Sequence, residues 1–315
     1  MKQYVDLLTK ILTEGEERGD RTGTGTLSIF GGDLKFDLRQ RFPLVTIKKT
    51  LYKSAFIEML WFIRGEPNTD YLKLYNVNIW DDWADAEGKL GEIYGVQWRR
   101  WAGKIRKFSS TRLLLWAWKN EPGYYPEVDK YATSADYIGE QHGWRPNETY
   151  SLYQEKIDQL ANLIEGIKKN PTGRRHIVTA WQPGDLDTMG LPPCHYLFQC
   201  YVSNDGYLDL RMSIRSWDLA IGGSFNIAQY ALLTHLIARA TGLKPRYLSI
   251  SYGDCHIYLN HLEKIREMLN NLEPINCSPK LIFKTDNIDI DGYKPEDFEI
   301  EGYESHPFIK LPIAV

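Results

Sequence analysis

The sequence predicts a globular α+β fold. Some segments space their apolar residues as helices do and others form short strand-like runs, and the two kinds do not alternate regularly as in βαβ units. Of the 315 residues, 43% are hydrophobic and 25% charged, which argues against disorder and predicts a sizeable core. We expect a single domain over residues 1–315.

Six segments have the apolar spacing of helices. Glu155–Lys169 is the clearest of them, because its five regularly spaced apolar residues share one face. In chain order, the predicted helices are Tyr4–Glu14, Ser54–Ile63, Tyr71–Tyr75, Glu155–Lys169, Phe225–Ala240 and Ile257–Leu269.

The strand-like runs are shorter and lie between turn residues. The predicted strands are Thr26–Phe30, Leu34–Leu38, His176–Trp181, His195–Val202, Tyr207–Ser213 and Tyr247–Tyr252. Gly31 and Gly32 predict a β-bulge between the first two strands, and Asp20–Gly25 predicts a turn.

One long segment differs from the rest of the chain. Gly103–Thr149 is rich in Trp, Tyr, Pro, Gly and charged residues and has no clean period. We interpret residues 103–149 as an inserted surface subdomain.

Charge and cysteine usage exclude several classes of protein. The net charge is only −3, so we expect no DNA partner, and any phosphate site should be a local cluster of arginines. Four cysteines without CxxC or Cys/His spacing predict neither a disulfide scaffold nor a metal site, which favours a cytoplasmic protein. The chain opens with no apolar signal segment and has no run of about 18 apolar residues, so we expect no membrane partner.

The segment Leu191-Pro192-Pro193-Cys194-His195 is the first candidate for chemistry. Two prolines restrict the backbone before the cysteine, and an imidazole follows it. A thiol becomes a strong nucleophile when its pKa is lowered or a neighbour accepts its proton. From this motif alone, Cys194 is either a nucleophile or a buried structural cysteine.

Arginines form the second candidate, because a guanidinium offers a planar fork suited to phosphate oxygens. They follow turns or end strands, and each alone could instead be a solvated charge. The residues concerned are Arg21, Arg174, Arg175 and Arg215 with Ser216.

Further polar and aromatic residues could bind a pyrimidine nucleotide. Asn226 opens the long apolar helix and could pair with an amide edge, or it could be an ordinary polar residue at a helix start. Glu58 lies in an apolar helix and needs either a partner or a shifted pKa, so it is an acid–base candidate or a structural ion pair. His256 and Tyr258 could hold a sugar hydroxyl, and Trp80 could stack on a flat heterocycle; a polar cluster and core packing are the alternatives.

Together these motifs resemble the thymidylate synthase family. They occur in the family's order and cover nearly the whole chain outside Gly103–Thr149. The segments that carry the resemblance are FPLVTIKK (Phe42–Lys49), EMLWFIRG (Glu58–Gly65), NIWDDWAD (Asn78–Asp85), YGVQWR (Tyr94–Arg99), GRRHIVTAW (Gly173–Trp181), LPPCH (Leu191–His195), RSWD (Arg215–Asp218), FNIAQYALL (Phe225–Leu233), GDCHIYLNH (Gly253–His261) and PIAV (Pro312–Val315).

The resemblance implies a mixed sheet flanked by helices and a reaction between dUMP and 5,10-methylenetetrahydrofolate as co-substrate, without a metal. Cys194 would add to C6 of the pyrimidine, with His195 beside it, while Glu58 and Tyr94 would manage protons. Hydride transfer from the folate would then give dTMP and dihydrofolate.

The resemblance also assigns the binding residues. The phosphate would contact Arg21, Arg174, Arg175, Arg215 and Ser216, with Asn226 reading the uracil and His256 and Tyr258 holding the ribose. The folate site would comprise Ile79, Trp80, Trp83, Leu191, Asp218, Gly222, Phe225 and Val315. The family forms homodimers in which Arg174 and Arg175 would reach the neighbouring subunit's site.

Four residues depart from the family's common pattern, and the resemblance places them around the nucleotide and folate. They are Ile214, Trp217, Ser224 and Gln229. They leave open a dUMP 5-hydroxymethylase, in which water captures the methylene intermediate. A relative that binds RNA without catalysis is a third possibility, although Cys194 and the phosphate arginines argue against it.

Overall fold

A computed structural model describes residues 1–108 and 151–313. Its helices are α1 (Lys2–Glu14), α2 (Tyr52–Arg64), α3 (Asp70–Leu74), α4 (Gly95–Arg100), α5 (Gln159–Lys169), α6 (Gly222–Thr241) and α7 (Leu262–Asn271). Its strands are β1 (Glu16–Arg18), β2 (Thr26–Asp37), β3 (Trp101–Phe108), β4 (Ser151–Ile157), β5 (Ile177–Thr179), β6 (His195–Val202), β7 (Tyr207–Asp218), β8 (Lys244–Tyr258), β9 (Lys280–Phe283) and β10 (Phe298–Glu301).

The central layer is a six-stranded mixed sheet in the order β1-β2-β8-β7-β6-β5. Its neighbours pair antiparallel except β7 and β8, which are parallel and are joined by the long helix α6. A parallel pair needs such a crossover, since a tight hairpin cannot return the chain to the same end of the sheet. The predicted α+β fold with a mixed sheet and flanking helices is therefore confirmed.

The core lies between the sheet and the helices. Helix α6 contacts α2 on one side and β7 and β8 on the other, so most of its surface is buried. Helix α2 is buried from Ala55 to Ile63 without interruption, and this run includes Glu58. A carboxylate in so apolar a helix requires hydrogen-bond donors nearby.

The predicted β-bulge at Gly31 and Gly32 is wrong. Strand β2 pairs with β8 in one register from Thr26, opposite Tyr258, to Asp37, opposite Tyr247. Other constraints favour glycine at these two positions. Gly31 has a left-handed φ of 82°. A Cβ on Gly32 would lie 2.2 Å from the hydroxyl oxygen of Tyr252.

Other elements begin or end at different residues than the sequence predicts. Helix α5 begins after Asp158, whose side chain accepts a hydrogen bond from the Ala161 N–H, and residues 155–157 belong to β4 instead. Strands β7 and β8 are longer than predicted and extend to Asp218 and Tyr258, so residues 257–258 are not helical. Of the predicted insertion, residues 103–108 belong to β3, which pairs with β4, and residues 109–149 lie outside the described residues.

Helices long and apolar enough to cross a membrane are absent from residues 1–108 and 151–313.

Candidate active site

Cys194 lies at the start of β6, where the backbone is held by an arginine of the neighbouring strand β7. The Arg215 guanidinium donates from Nε to the Pro193 carbonyl at 3.0 Å and from Nη2 to the Pro192 carbonyl at 2.8 Å. The Arg215 backbone N–H donates to the Cys194 carbonyl at 2.8 Å. The predicted cysteine and one predicted phosphate arginine are therefore neighbours.

Opposing effects act on the pKa of the Cys194 thiol. Burial raises its pKa, because the thiolate loses solvation, whereas the positive charge of Arg215 lowers it. Arg215 thus favours the reactive thiolate in a site that otherwise disfavours it.

Tyr94 contacts the same cysteine from a strained position. Its φ is 35° and its ψ is −100°, an uncommon conformation for a non-glycine residue, directly before α4. The following Gly95 lies so close to α2 that a Cβ there would be 2.0 Å from the Phe62 carbonyl oxygen. The Tyr94 hydroxyl oxygen accepts a hydrogen bond from the Cys194 N–H at 2.9 Å.

His195 is buried behind the cysteine. Its Nδ1 is joined to the Tyr230 hydroxyl by a 2.8 Å hydrogen bond, and its ring centroid lies 4.3 Å from that of Tyr94. Burial lowers the pKa of His195 to about 3, so the imidazole is neutral at physiological pH. Tyr230 was not predicted, since a tyrosine in a long apolar helix has the pattern of a core residue.

Glu58 has two donors and is 8% exposed. The Trp80 indole N–H donates to Oε1 at 2.7 Å and the Gln229 amide donates to Oε2 at 2.6 Å. Burial raises the pKa of Glu58 to about 7, although both hydrogen bonds act in the opposite direction. In the described part of the chain both hydrogen-bond partners of Glu58 are neutral donors, so a structural ion pair has no support there.

Asn226, in the second turn of α6, continues this chain of hydrogen bonds. Its Oδ1 accepts from the Trp217 indole N–H at 3.1 Å, and its Nδ2 donates to the Gln229 Oε1 at 3.2 Å. Trp217, Asn226, Gln229, Glu58 and Trp80 therefore form one continuous polar network.

A second polar cluster lies at the end of β8. His256 Nδ1 is 2.7 Å from Asp254 Oδ1, and Arg18 Nη1 is 3.1 Å from Asp254 Oδ2. The ring centroids of His256 and Tyr258 are 5.3 Å apart. The parallel register places Ser216 beside Asp254 and Asp218 beside His256. The sequence motifs do not identify Arg18 as a site residue, because it precedes the Asp20–Gly25 turn that contains Arg21.

Asp20 shapes the turn that carries Arg21. Its carboxylate accepts hydrogen bonds from the Gly25 N–H at 2.7 Å and from the Thr22 hydroxyl at 2.6 Å. These hydrogen bonds hold the pKa of Asp20 below its usual value, the bond from Thr22 most strongly. Arg21 is exposed on this turn.

The residues expected to bind folate lie at the end of β7, on several loops and at the start of α6. Asp218 accepts a hydrogen bond from the Ile221 N–H at 3.1 Å, and the Trp80 and Trp83 rings meet edge to face at 5.8 Å. The partly buried members of this set are Ile79, Trp83, Leu191, Asp218, Gly222 and Phe225. Val315 lies outside the described residues.

Lys48 is a further charged residue near this region that was not predicted. Its ammonium group donates to the Ala220 carbonyl, and burial lowers its pKa to about 8 while the charge of Asp218 opposes that shift.

Among the described residues, Arg174 and Arg175 take no part in these hydrogen-bond networks. Both are exposed in the turn between α5 and β5, and among the described residues no hydrogen bond joins them to Cys194 or Arg215.

The four departures from the family pattern are all buried, and two of them form side-chain hydrogen bonds to predicted site residues. Trp217 and Gln229 bond to Asn226, and Gln229 also bonds to Glu58. Ile214 pairs with His195 across the sheet, and the Ser224 hydroxyl donates to the Ile221 carbonyl.

A family model described as thymidylate synthase matches residues 2–315 of this sequence. The chain belongs to the thymidylate synthase family. The match covers essentially the whole chain, so the resemblance carried by the short motifs is confirmed. Members of this family are folate-dependent enzymes of the methyltransferase type that act on pyrimidine deoxynucleotides. Within residues 1–108 and 151–313, His, Cys, Asp and Glu side chains form no group that could hold a metal ion.

Proposed function

We propose that this protein converts dUMP to dTMP, using 5,10-methylenetetrahydrofolate as the donor of both the one-carbon unit and the hydride. The observation that carries the proposal is the arrangement around Cys194, whose backbone is held by Arg215 and Tyr94. The thiolate of Cys194 adds to C6 of the uracil ring, which makes C5 nucleophilic, and is expelled when the product forms.

The phosphate of dUMP binds an arginine cluster near Cys194. Arg215 and Ser216 come from β7, and Arg21 comes from the turn after β1. The Arg21 charge lies near Tyr258: burial raises the pKa of this tyrosine to about 12, and Arg21 opposes the shift. This proximity supports a nucleotide that extends from Arg21 past Tyr258 to Cys194.

Asn226 pairs with the uracil edge, and His256 with Tyr258 holds the ribose hydroxyl. The register of β7 and β8 supports this assignment, because it places His256 beside Asp218 at one end of the sheet. Asp254 Oδ1 accepts a hydrogen bond from the His256 Nδ1–H and fixes the orientation of the imidazole ring.

Glu58 and Tyr94 manage the protons. A carboxyl group with a pKa of about 7 can both release and accept a proton near neutral pH, which suits proton exchange near O4 through water. Tyr94, with its hydroxyl at the Cys194 backbone, assists removal of the C5 proton. His195 stays neutral and positions this region through Tyr230.

The residues present fit a folate. Asp218 uses Oδ1 for the Ile221 N–H, so its other oxygen can accept hydrogen bonds from a pterin. The Trp83 indole N–H is buried without an acceptor in the described part of the chain, as expected beside a ligand that supplies one. Ile79, Trp80, Leu191, Gly222 and Phe225 would complete the wall, and Val315 would close the site against water.

A second copy of the chain would supply Arg174 and Arg175. Successive side chains along a strand point to opposite faces of the sheet. One face of the central sheet carries the buried residues, and the other carries exposed side chains, including Lys35, Tyr201 and Arg211. A cavity of about 590 Å³ beside Arg215 leaves room there for side chains of a partner. We propose an isologous homodimer through this face, in the cytoplasm.

The test measures both products of the reaction. The protein is incubated with dUMP and methylenetetrahydrofolate, the absorbance rise of dihydrofolate is recorded, and the nucleotide is analysed by mass. We expect dTMP and dihydrofolate in equal amounts, and no product with Cys194→Ser. A hydroxymethylated nucleotide without dihydrofolate would replace the proposal with the hydroxymethylase. Absence of C5 proton release would favour a non-catalytic relative.

A further inference from the structure

Trp217 and Gln229 contact opposite ends of the Asn226 side-chain amide. The Trp217 indole N–H donates to Asn226 Oδ1 at 3.1 Å, and Asn226 Nδ2 donates to Gln229 Oε1 at 3.2 Å. Gln229 in turn donates to the Glu58 carboxylate at 2.6 Å. The network therefore runs from an indole through two amides to a carboxylate.

The chemistry of the two ends determines how both amides are oriented. An indole N–H can only donate, so the oxygen of Asn226 must face Trp217. An ionised carboxylate can only accept, so the nitrogen of Gln229 must face Glu58 and its oxygen must face Asn226. Both ends demand the same orientation of Asn226, and rotating its amide by 180° would place N–H against N–H and oxygen against oxygen.

Water cannot substitute for these bonds. Trp217 and Gln229 are each 1% exposed, and the Trp217 ring packs against Tyr252 with centroids 5.9 Å apart. A flipped Asn226 would leave buried polar groups without partners, which is strongly unfavourable. The orientation is thus held by the fold and not by the substrate.

The held amide has one N–H and one oxygen lone pair left for a ligand. A uracil edge offers an acceptor at C4=O and a donor at N3–H, which match these groups in that order. A cytosine edge offers a donor at the C4 amine and an acceptor at N3, and would need the amide reversed. With C6 facing Cys194 and the ribose near His256, the ring cannot turn over to compensate.

We propose that Trp217 and Gln229 are specificity-determining positioning residues, which lock Asn226 in the orientation that accepts uracil and thereby exclude cytosine nucleotides. The inference rests on the proposed function, since it takes dUMP as the substrate and Asn226 as the residue that pairs with the base. An asparagine without the lock could rotate and accept either base.

The test compares binding of dUMP and dCMP to the full-length protein at pH 8.5, without folate, by competition against a fluorescent nucleotide. The variants are Trp217→Phe, which removes the donor, and Gln229→Met, which removes the second contact. Gln97→Met is the matched control, because Gln97 is also buried and also donates to a carboxylate, that of Asp185. Asn226→Asp serves as the positive control for a change in base preference.

We expect the preference for dUMP over dCMP to fall roughly tenfold or more in Trp217→Phe and in Gln229→Met, and to stay unchanged in Gln97→Met. If the two residues had only a structural role, each substitution would weaken the binding of dUMP and dCMP equally and leave the ratio of the two affinities constant. A ratio unchanged in both folded variants would overturn the lock, and Gln229→Met provides the answer should Trp217→Phe not fold. Failure of the proposed function has a different signature, namely no C5 proton release from dUMP by the unmodified protein.

Discussion

The hydroxyl oxygen of Tyr94 accepts a hydrogen bond from the backbone N–H of Cys194 at 2.9 Å, across 100 residues of sequence. Burial raises the pKa of Tyr94 well above its usual value, so the phenol stays protonated and can donate to a neighbouring acceptor while it accepts from Cys194. The bond ties the loop before α4 to the start of β6.

Replacing Tyr94 by phenylalanine tests this contact. We expect Tyr94→Phe to lower kcat by about 100-fold or more, because a positioned proton-transfer group is lost. Stability should fall by only about 1 kcal/mol. Tyr293→Phe, which removes another hydroxyl of a buried tyrosine, one that bonds to the Asn287 carbonyl, is the control and should retain kcat. Equal kcat values for Tyr94→Phe and Tyr293→Phe would show that the Tyr94 hydroxyl takes no part in catalysis.

A second prediction concerns the reactivity of Cys194. Arg215→Gln removes the charge that opposes the effect of burial, so the pKa of the thiol should rise and its alkylation by iodoacetamide should slow. A rise of one unit lowers the thiolate fraction about tenfold at neutral pH. The rate is followed over a pH series by mass spectrometry of the Cys194 peptide. Arg246→Gln, which breaks the ion pair with Asp209, is the control, and an equal slowing there would contradict the assignment.

The buried Glu58 should make stability depend on pH. Its pKa is about 7 in the folded protein against 4.5 for the free group, so the folded state binds more protons between these values. Stability therefore falls as pH rises from 4.5 to 7, by about 3 kcal/mol, and then stays level.

The measurement is denaturant unfolding of the wild type and Glu58→Gln across that pH range. The difference between the two curves isolates Glu58, because His195, whose pKa is lowered to about 3, contributes the opposite slope equally to both proteins. Glu263 is an exposed glutamate in α7, so the free energy of unfolding of Glu263→Gln should depend on pH in the same way as that of the wild type. If the curves of Glu58→Gln and the wild type were parallel, burial would not raise the pKa of Glu58.

Shared sites can be tested by mixing inactive proteins. Arg174→Ala and Cys194→Ser homodimers should each be inactive, whereas a mixed dimer contains one site with both native residues. Recovery of up to half of the activity per mixed dimer is expected after subunit exchange. No recovery, with heterodimers demonstrated by native mass spectrometry, would show that Arg174 does not serve the neighbouring site.

Base choice gives a fifth prediction. Asn226→Asp should weaken dUMP use and improve dCMP use, because a protonated or suitably placed carboxyl group suits a cytosine edge. The ratio of kcat/KM values for the two nucleotides should change by roughly 100-fold or more. An unchanged ratio would place recognition of the base at another residue.

Local sequence patterns predict which kinds of residue are available and most of the elements that carry them. Helical spacing located α1, α2, α5 and α6, and strand-like runs located β6 within the same bounds as the structure. Such patterns are local, because side chains that share one face of a helix or strand recur every few residues. The family motifs are local as well, and they pointed to Cys194, Arg215, Glu58 and Asn226 without any knowledge of contacts.

Element ends were less predictable where the tertiary structure overrides local signals. Two adjacent glycines predicted a bulge, yet β2 continues because β8 pairs with it along its whole length. Residues 155–157 fit a helical stripe but form β4 opposite β3. In both cases backbone pairing with a distant strand outweighs the local preference.

Which side chains contact each other depends on how the elements pack in three dimensions. Gln229 and Glu58 are 171 residues apart and contact each other because α6 packs against α2. In the sequence, Trp217 and Gln229 were merely departures from a family pattern, whereas in the fold they orient Asn226. The physical reason is that a hydrogen bond depends on distance and direction, and for distant residues both are set by the packing of whole elements and by the exclusion of water around them.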